Sequence, residues 1–129
     1  MQVIRMTREN EDFYRWMGPV FGSRLIEQET HDRFYDDPGK LWHLIKGLGT
    51  ASVRDSVIRN FWAGSAEAAE ALVADMLLCW PDLSGIVPRS YESTFRAMGF
   101  KTFPHRKNFI EVRRAVERPA DCPPLKSTL

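Results

Sequence analysis

One stretch constrains this chain more than any other. Ala69, Leu72, Val73, Met76, Leu77 and Trp80 fall at i, i+3, i+4, i+7, i+8 and i+11, an unbroken apolar stripe at helical spacing. Glu67, Glu70 and Asp75 take polar positions, and the two glutamates near its start suit the positive end of a helix dipole. Ser65 stands where an N-cap is needed, and Pro81-Asp82 ends the run. A helix apolar on one side is stable only against a second layer. Strand-like segments flank it on both sides, Val57 to Ala63 before and Leu83 to Val87 after.

The rest of the chain supplies the other elements. Met1 to Met6 reads as a short strand, and Thr7 as the N-cap of a helix carrying Phe13, Trp16, Met17 and Val20, broken by Gly18-Pro19. A second helix is expected from about Ser23 to Tyr35, ending in Asp36-Asp37-Pro38-Gly39. Leu41 to Lys46, Thr50 to Arg54 and Val57 to Ala63 read as three successive antiparallel strands, interrupted at Gly47-Leu48-Gly49 and Asp55-Ser56. Beyond Leu83 to Val87 come a short helix, Tyr91 to Met98, with Gly99 as its C′ residue, and two strands, Phe100 to Phe103 and Asn108 to Arg113. The predicted order is β-α-α-β-β-β-α-β-α-β-β. It implies an α/β fold with a mixed, mostly antiparallel sheet and helices on both faces, the Trp80 stripe and the Phe13/Trp16/Met17 set packing on opposite sides. One domain is expected over residues 1–116, followed by a proline-rich tail at 117–129.

Composition excludes more than it names. A chain of 129 residues buries roughly two-thirds of its unfolded surface and needs no staples. No run approaches the ~18 apolar residues of a membrane span, and the charged start MQVIRMTREN lacks a signal-peptide core, so a reducing, cytoplasmic interior is expected. Cys79 reads as a buried thiol in a helix and Cys122 lies in the tail, which makes no disulfide framework. His31, His43 and His105 sit in separate segments without ligand spacing, so no metal site is expected, although His43 alternates with Trp42 and Leu44 and is a candidate to line a cleft. A net charge of +1 makes nucleic acid an improbable partner and gives no reason to expect a membrane. One asymmetry stands out: from Arg96 to Arg118 there are seven basic residues against two acidic, a local +5. His105, Arg106 and Lys107 cluster at the expected hairpin tip, either to meet phosphate or an acidic partner or simply to guard solvated strand edges.

The element order resembles that of the GNAT superfamily of acetyl-CoA-dependent N-acetyltransferases. The likeness is sharpest in LSGIVPRSYESTFRAMGFKTFPHRKNFIEVR, Leu83 to Arg113, where Met98-Gly99-Phe100 is similar to the triplet that closes the last helix of that family. The junction Phe61 to Ala66 resembles in particular that of small divergent GNAT-like proteins of tailed phages. The resemblance implies a wedge between Val57–Ala63 and Leu83–Val87 holding acetyl-CoA, with the pantetheine arm along the backbone of Phe61 and Trp62. The pyrophosphate would then lie at Gly64, Ser65 and Ala66, where the following helix begins. It also implies an amine acceptor, with Tyr91 as the nearest phenol to protonate the departing thiolate and Asp55 as a carboxylate base. Read from the residues alone, Tyr91 is first an amphipathic aromatic at a helix start, and Asp55-Ser56 first a turn.

Departures from the family pattern set a second expectation beside the first. Trp62-Ala63-Gly64-Ser65-Ala66 has one glycine and no basic residue where a glycine-rich, basic loop would wrap the pyrophosphate, and Glu67 and Glu70 repel a diphosphate there. Phe95 stands where many members carry the tyrosine acid. The sequence therefore supports an acyl-CoA-dependent N-acyltransferase, or alternatively a catalytically inactive GNAT-like interaction protein, virion-associated if of phage origin.

Overall fold

A computed structural model describes residues 1–114; the expected tail at 117–129, with Cys122, Glu117 and Arg118, lies outside the described residues. Among the described residues there are seven strands: β1 (Ile4–Met6), β2 (Leu41–Ile45), β3 (Gly49–Arg54), β4 (Val57–Ala63), β5 (Ser84–Pro88), β6 (Phe100–His105) and β7 (Phe109–Arg114). They form one sheet in the order β1-β2-β3-β4-β5-β7-β6. Every neighbouring pair is antiparallel except β4 and β5, which are parallel. Four α-helices are present among the described residues: α1 (Phe13–Phe21), α2 (Arg24–Thr30), α3 (Ala66–Cys79) and α4 (Glu92–Ala97). Parallel neighbours need a long crossover, and α3 supplies it between β4 and β5.

Side chains alternate along the strands, so one strand feeds two separate cores. Trp42 and Leu44 of β2 pack with Phe13 and Met17 of α1 and Ile26 of α2. Ile45 instead joins Phe61, the α3 residues Leu72, Val73 and Met76, and Phe95 of α4. The apolar stripe read in α3 is buried as far as Met76, while Leu77 and Trp80 at its end are half-buried.

Local chemistry explains most boundaries. Ser65 caps α3, its Oγ accepting the Ala68 N–H at 3.1 Å, and Ser23 caps α2 in the same way through Ile26 N–H. Gly99 ends the segment after α4 with φ +91°, a conformation that favours glycine.

Four expectations need correction. Thr7 is not a cap: its N–H goes to Asn10 Oδ1 at 2.8 Å and its carbonyl accepts the Asn10 N–H, a tight turn that delays α1 until Phe13. Gly18-Pro19 does not break α1, because Pro19 lies close to the helix end and the Gly22 N–H still reaches Gly18 O at 3.1 Å. The second helix stops at Thr30 instead of Tyr35, where His31 turns left-handed at φ +56°. The helix expected from Tyr91 begins at Glu92, after a single 3-10 turn over Arg89–Tyr91.

Candidate functional site

The parallel join of β4 and β5 is short. Val57 pairs with Ser84 and Ile58 with Gly85, and there the pairing stops. Gly85 permits this approach, since a Cβ at that position would lie 2.6 Å from Ile58 Cβ and 2.8 Å from Ile58 O. Immediately afterwards β4 carries a bulge: Ser52 faces Asn60 while Val53 faces Ile58, leaving Arg59 as the extra residue. A bulge bends its strand, and this one falls where β4 leaves β5.

The chain's own aromatic side chains occupy the region where the two strands part. Tyr91, at the end of the 3-10 turn that follows β5, reaches the last residue of β4. Its hydroxyl accepts the Ala63 N–H at 3.0 Å and donates to Ala63 O at 3.0 Å. Phe61 packs edge-on against Tyr91 at 4.9 Å and against Phe95 at 5.1 Å, and Phe95 meets Phe100 at 5.1 Å. Phe61 and Phe95 are fully buried. Burial pushes the Tyr91 phenol above its ordinary value, partly offset by the hydrogen bond from Ala63 N–H. The phenol therefore keeps its proton at neutral pH, and that proton is committed to Ala63 O.

The other residues singled out in the sequence are also engaged internally. The Gly64 N–H reaches Leu48 O at 2.7 Å, and the Ser65 hydroxyl is occupied by the Ala68 N–H. Ala66 opens α3 and is exposed. Trp62 is half-buried, its indole N–H donating to Glu29 Oε2 at 2.9 Å. Asp55 sits in the β3–β4 turn at φ +55°, followed by Ser56 at +64°. That turn lies at the opposite end of β4 from Ala63, about 20 Å or more away along the strand. The structure thus gathers Tyr91, Phe61 and the start of α3 at one end of β4 and leaves Asp55 at the other.

His43 does not line a cleft. It is fully buried, with Nδ1 2.6 Å from Asp75 Oδ2 on α3. Burial holds its pKa below the ordinary histidine value, with Asp75 opposing, so the ring is neutral and Nδ1 carries the proton toward the carboxylate. Nε2 is buried with no hydrogen-bond partner among the described residues. Burial alone would raise Asp75, yet hydrogen bonds from Arg5 and His43 outweigh it and hold the carboxyl below its usual range. Arg5 grips Asp75 with two bonds of 3.0 Å.

A second polar cluster escaped the sequence reading. Lys40 is buried, ion-paired to Asp37 at 2.7 Å and donating to Asn60 Oδ1 at 3.0 Å; Ser52 Oγ also donates to that oxygen. The available signals were Asp75 between the core residues Val73 and Met76, and Asn60 inside an apolar strand. Among the described residues no group of three or more histidine, cysteine or acidic side chains converges as for a metal ion. Arg106 forms the β6–β7 turn at φ +61°, its carbonyl accepting from Arg89 at 3.0 Å. Part of the surrounding basic charge is paired locally, Arg96 with Glu92 and Arg113 with Glu111.

No protein-family model, no curated protein and no solved structure matches the chain. No helix among the described residues is long and apolar enough to cross a membrane.

Proposed function

We propose that this chain is a catalytically inactive GNAT-like protein that works by binding another protein. The strand order, with β4 and β5 parallel and diverging, supports the GNAT-like reading. So do the two separate cores, which fit α1 and α2 on one face of the sheet and α3 and α4 on the other. The observation that carries inactivity is the Tyr91 hydroxyl. It satisfies both main-chain groups of Ala63 beside the backbone that a pantetheine arm would pair with, and so stands in for the cofactor. The Gly64 N–H, needed for a pyrophosphate, is already taken by Leu48 O. With the likeness to small tailed-phage proteins, a protein is the expected partner.

An acyl-CoA-dependent N-acyltransferase is the second reading. The divergence of β4 from β5 beside a capped 14-residue helix favours it, since a helix start attracts anions. Acetyl-CoA is the cofactor this reading requires.

Thermal unfolding with millimolar acetyl-CoA and CoA separates the two. A ligand at ~100 times its dissociation constant adds about 2.7 kcal/mol, a shift of several degrees in a domain of this size. No shift is expected. A shift abolished by Ala66→Glu, at the exposed start of α3, would overturn the inactive reading in favour of the transferase.

A further inference from the structure

A separate trough runs between helices α1 and α2 and the ends of β2, β3 and β4, with a volume of about 320 Å³. Buried Ile26 and Leu44 form its floor, half-buried Trp16 and Trp62 its walls, and exposed Pro19, Lys46 and Gly47 lie along its rim. The trough shares β4 with the Tyr91 region, but Trp62 and Phe61 alternate, so Trp62 packs with the α1/α2 core and Phe61 with the other.

Its charge is one-sided. Lys46 Nζ sits 3.8 Å from the centre of the Trp16 ring, and the Arg15 guanidinium 5.5 Å from the same ring. No acidic side chain is among the described residues that line the trough. Glu29 stands nearby, already accepting the Trp62 indole N–H. Two cations are thus held over an aromatic wall, placed to meet a carboxylate.

We propose that this trough docks a segment of a partner protein that presents an apolar or aromatic side chain next to a carboxylate. The side chain fills the space between Trp16 and Trp62, and the carboxylate meets Lys46 and Arg15. A trough at the lower end of ligand-pocket volumes and open on one side leaves a small molecule half in water, whereas a chain segment covers the rim as it anchors. Paired tryptophans with a polar rim are the arrangement in which interface energy concentrates. This deepens the binding-protein reading above and rests on it.

The four tryptophan indole N–H resonances make the test specific. The protein is titrated with the capped peptide Ac-Leu-Phe-Glu-Glu-NH2 and with its Gln-Gln counterpart, following those signals by NMR. Trp16 and Trp62 should shift while Trp80, beside His43 and outside the trough, stays still. The Gln-Gln peptide should bind roughly three- to tenfold more weakly. Lys46→Glu, on an exposed turn, should erase that preference while the remaining indole signals show an intact fold. The proposal fails if Trp16 and Trp62 stay still at millimolar peptide, or if both peptides bind alike. It also fails if dilution alone moves the signals, which makes the occupant a second copy, or if 3-phenylpropionate binds as tightly as the peptide, which makes it a small molecule. Acetyl-CoA added to the same sample reads the other claim: movement of the Ala63 and Ala66 amides overturns the inactive reading, whereas silence there and at the trough overturns docking alone.

Discussion

Tyr91 holds an unusual post for a side chain, acting as a strand neighbour to Ala63 with one oxygen serving a donor and an acceptor. Tyr91→Phe removes that oxygen but keeps the ring on Phe61, leaving a buried N–H and C=O at Ala63 without their partner. The expected loss is about 1–3 kcal/mol, read as a lower urea midpoint at unchanged slope. Because burial raises the phenol's folded pKa, its stabilising contribution is complete below pH ~10 and is lost as pH rises through the folded value. The wild type should therefore lose stability on the alkaline side more steeply than Tyr91→Phe. His43 works in the opposite sense. Its folded pKa is depressed, so its contribution is complete above pH ~6.5 and falls as the pH drops through the folded value, where the unfolded chain already binds the proton. His43→Gln should flatten the dependence of stability on pH below about pH 6.5. A slope unchanged by this substitution would mean that the ring titrates as it does in the unfolded chain.

The elements that could be read before folding are those whose signals are local. Ser65 and Ser23 cap helices because a hydroxyl one residue before an α-helix has a nearby N–H to accept, whatever the rest of the fold does. Ser65→Ala should cost about 1 kcal/mol, a drop of a few degrees in Tm, with far-UV circular dichroism otherwise unchanged. Val57–Ala63 was readable for a similar reason, as an apolar run bounded by turn residues. Thr7 misled because it closes a turn with Asn10 instead of opening the helix, its N–H meeting Asn10 Oδ1 and its carbonyl the Asn10 N–H, and Pro19 because a proline near a helix end removes too little to stop it. The candidate site divided along the same line. Phe61, Gly64 and Ser65 could be placed at the β4–α3 junction from neighbouring residues. That Tyr91 would reach back 28 positions to Ala63, or that His43 would meet Asp75 across 32, has no local signature. Both contacts depend on α3 carrying the chain over the sheet.

For the molecule as a whole, the narrowest point is the join between β1–β4 on one side and β5, β7 and β6 on the other. The backbone ladder there has two registered pairs, and Tyr91 ties the far end, so the sheet is continuous only while β5 can approach Ile58 closely. Gly85 decides that approach. An alanine Cβ would meet the Ile58 backbone N and O at 2.9 and 2.8 Å, and backbone atoms inside a sheet cannot turn aside as a flexible side chain does. Gly85→Ala should therefore cost about 3 kcal/mol or more, at or above the upper end of overpacking penalties. The damage should not stay local: amides of β4 and β5 should gain hydrogen exchange together, because separating the pair also pulls Ala63 from Tyr91. The same substitution in α1 makes the control. Chain neighbours and its own helix apart, Gly18 has nothing among the described residues within 4 Å of a built Cβ. The gain in helix propensity there is offset by the following Pro19, which disfavours helical geometry for a residue with a Cβ, so Gly18→Ala should change stability by less than about 1 kcal/mol. A large loss at Gly85 beside a small change at Gly18 would locate the join at Ile58 and Gly85, whereas equal and small effects would show that the two halves of the sheet are held together elsewhere.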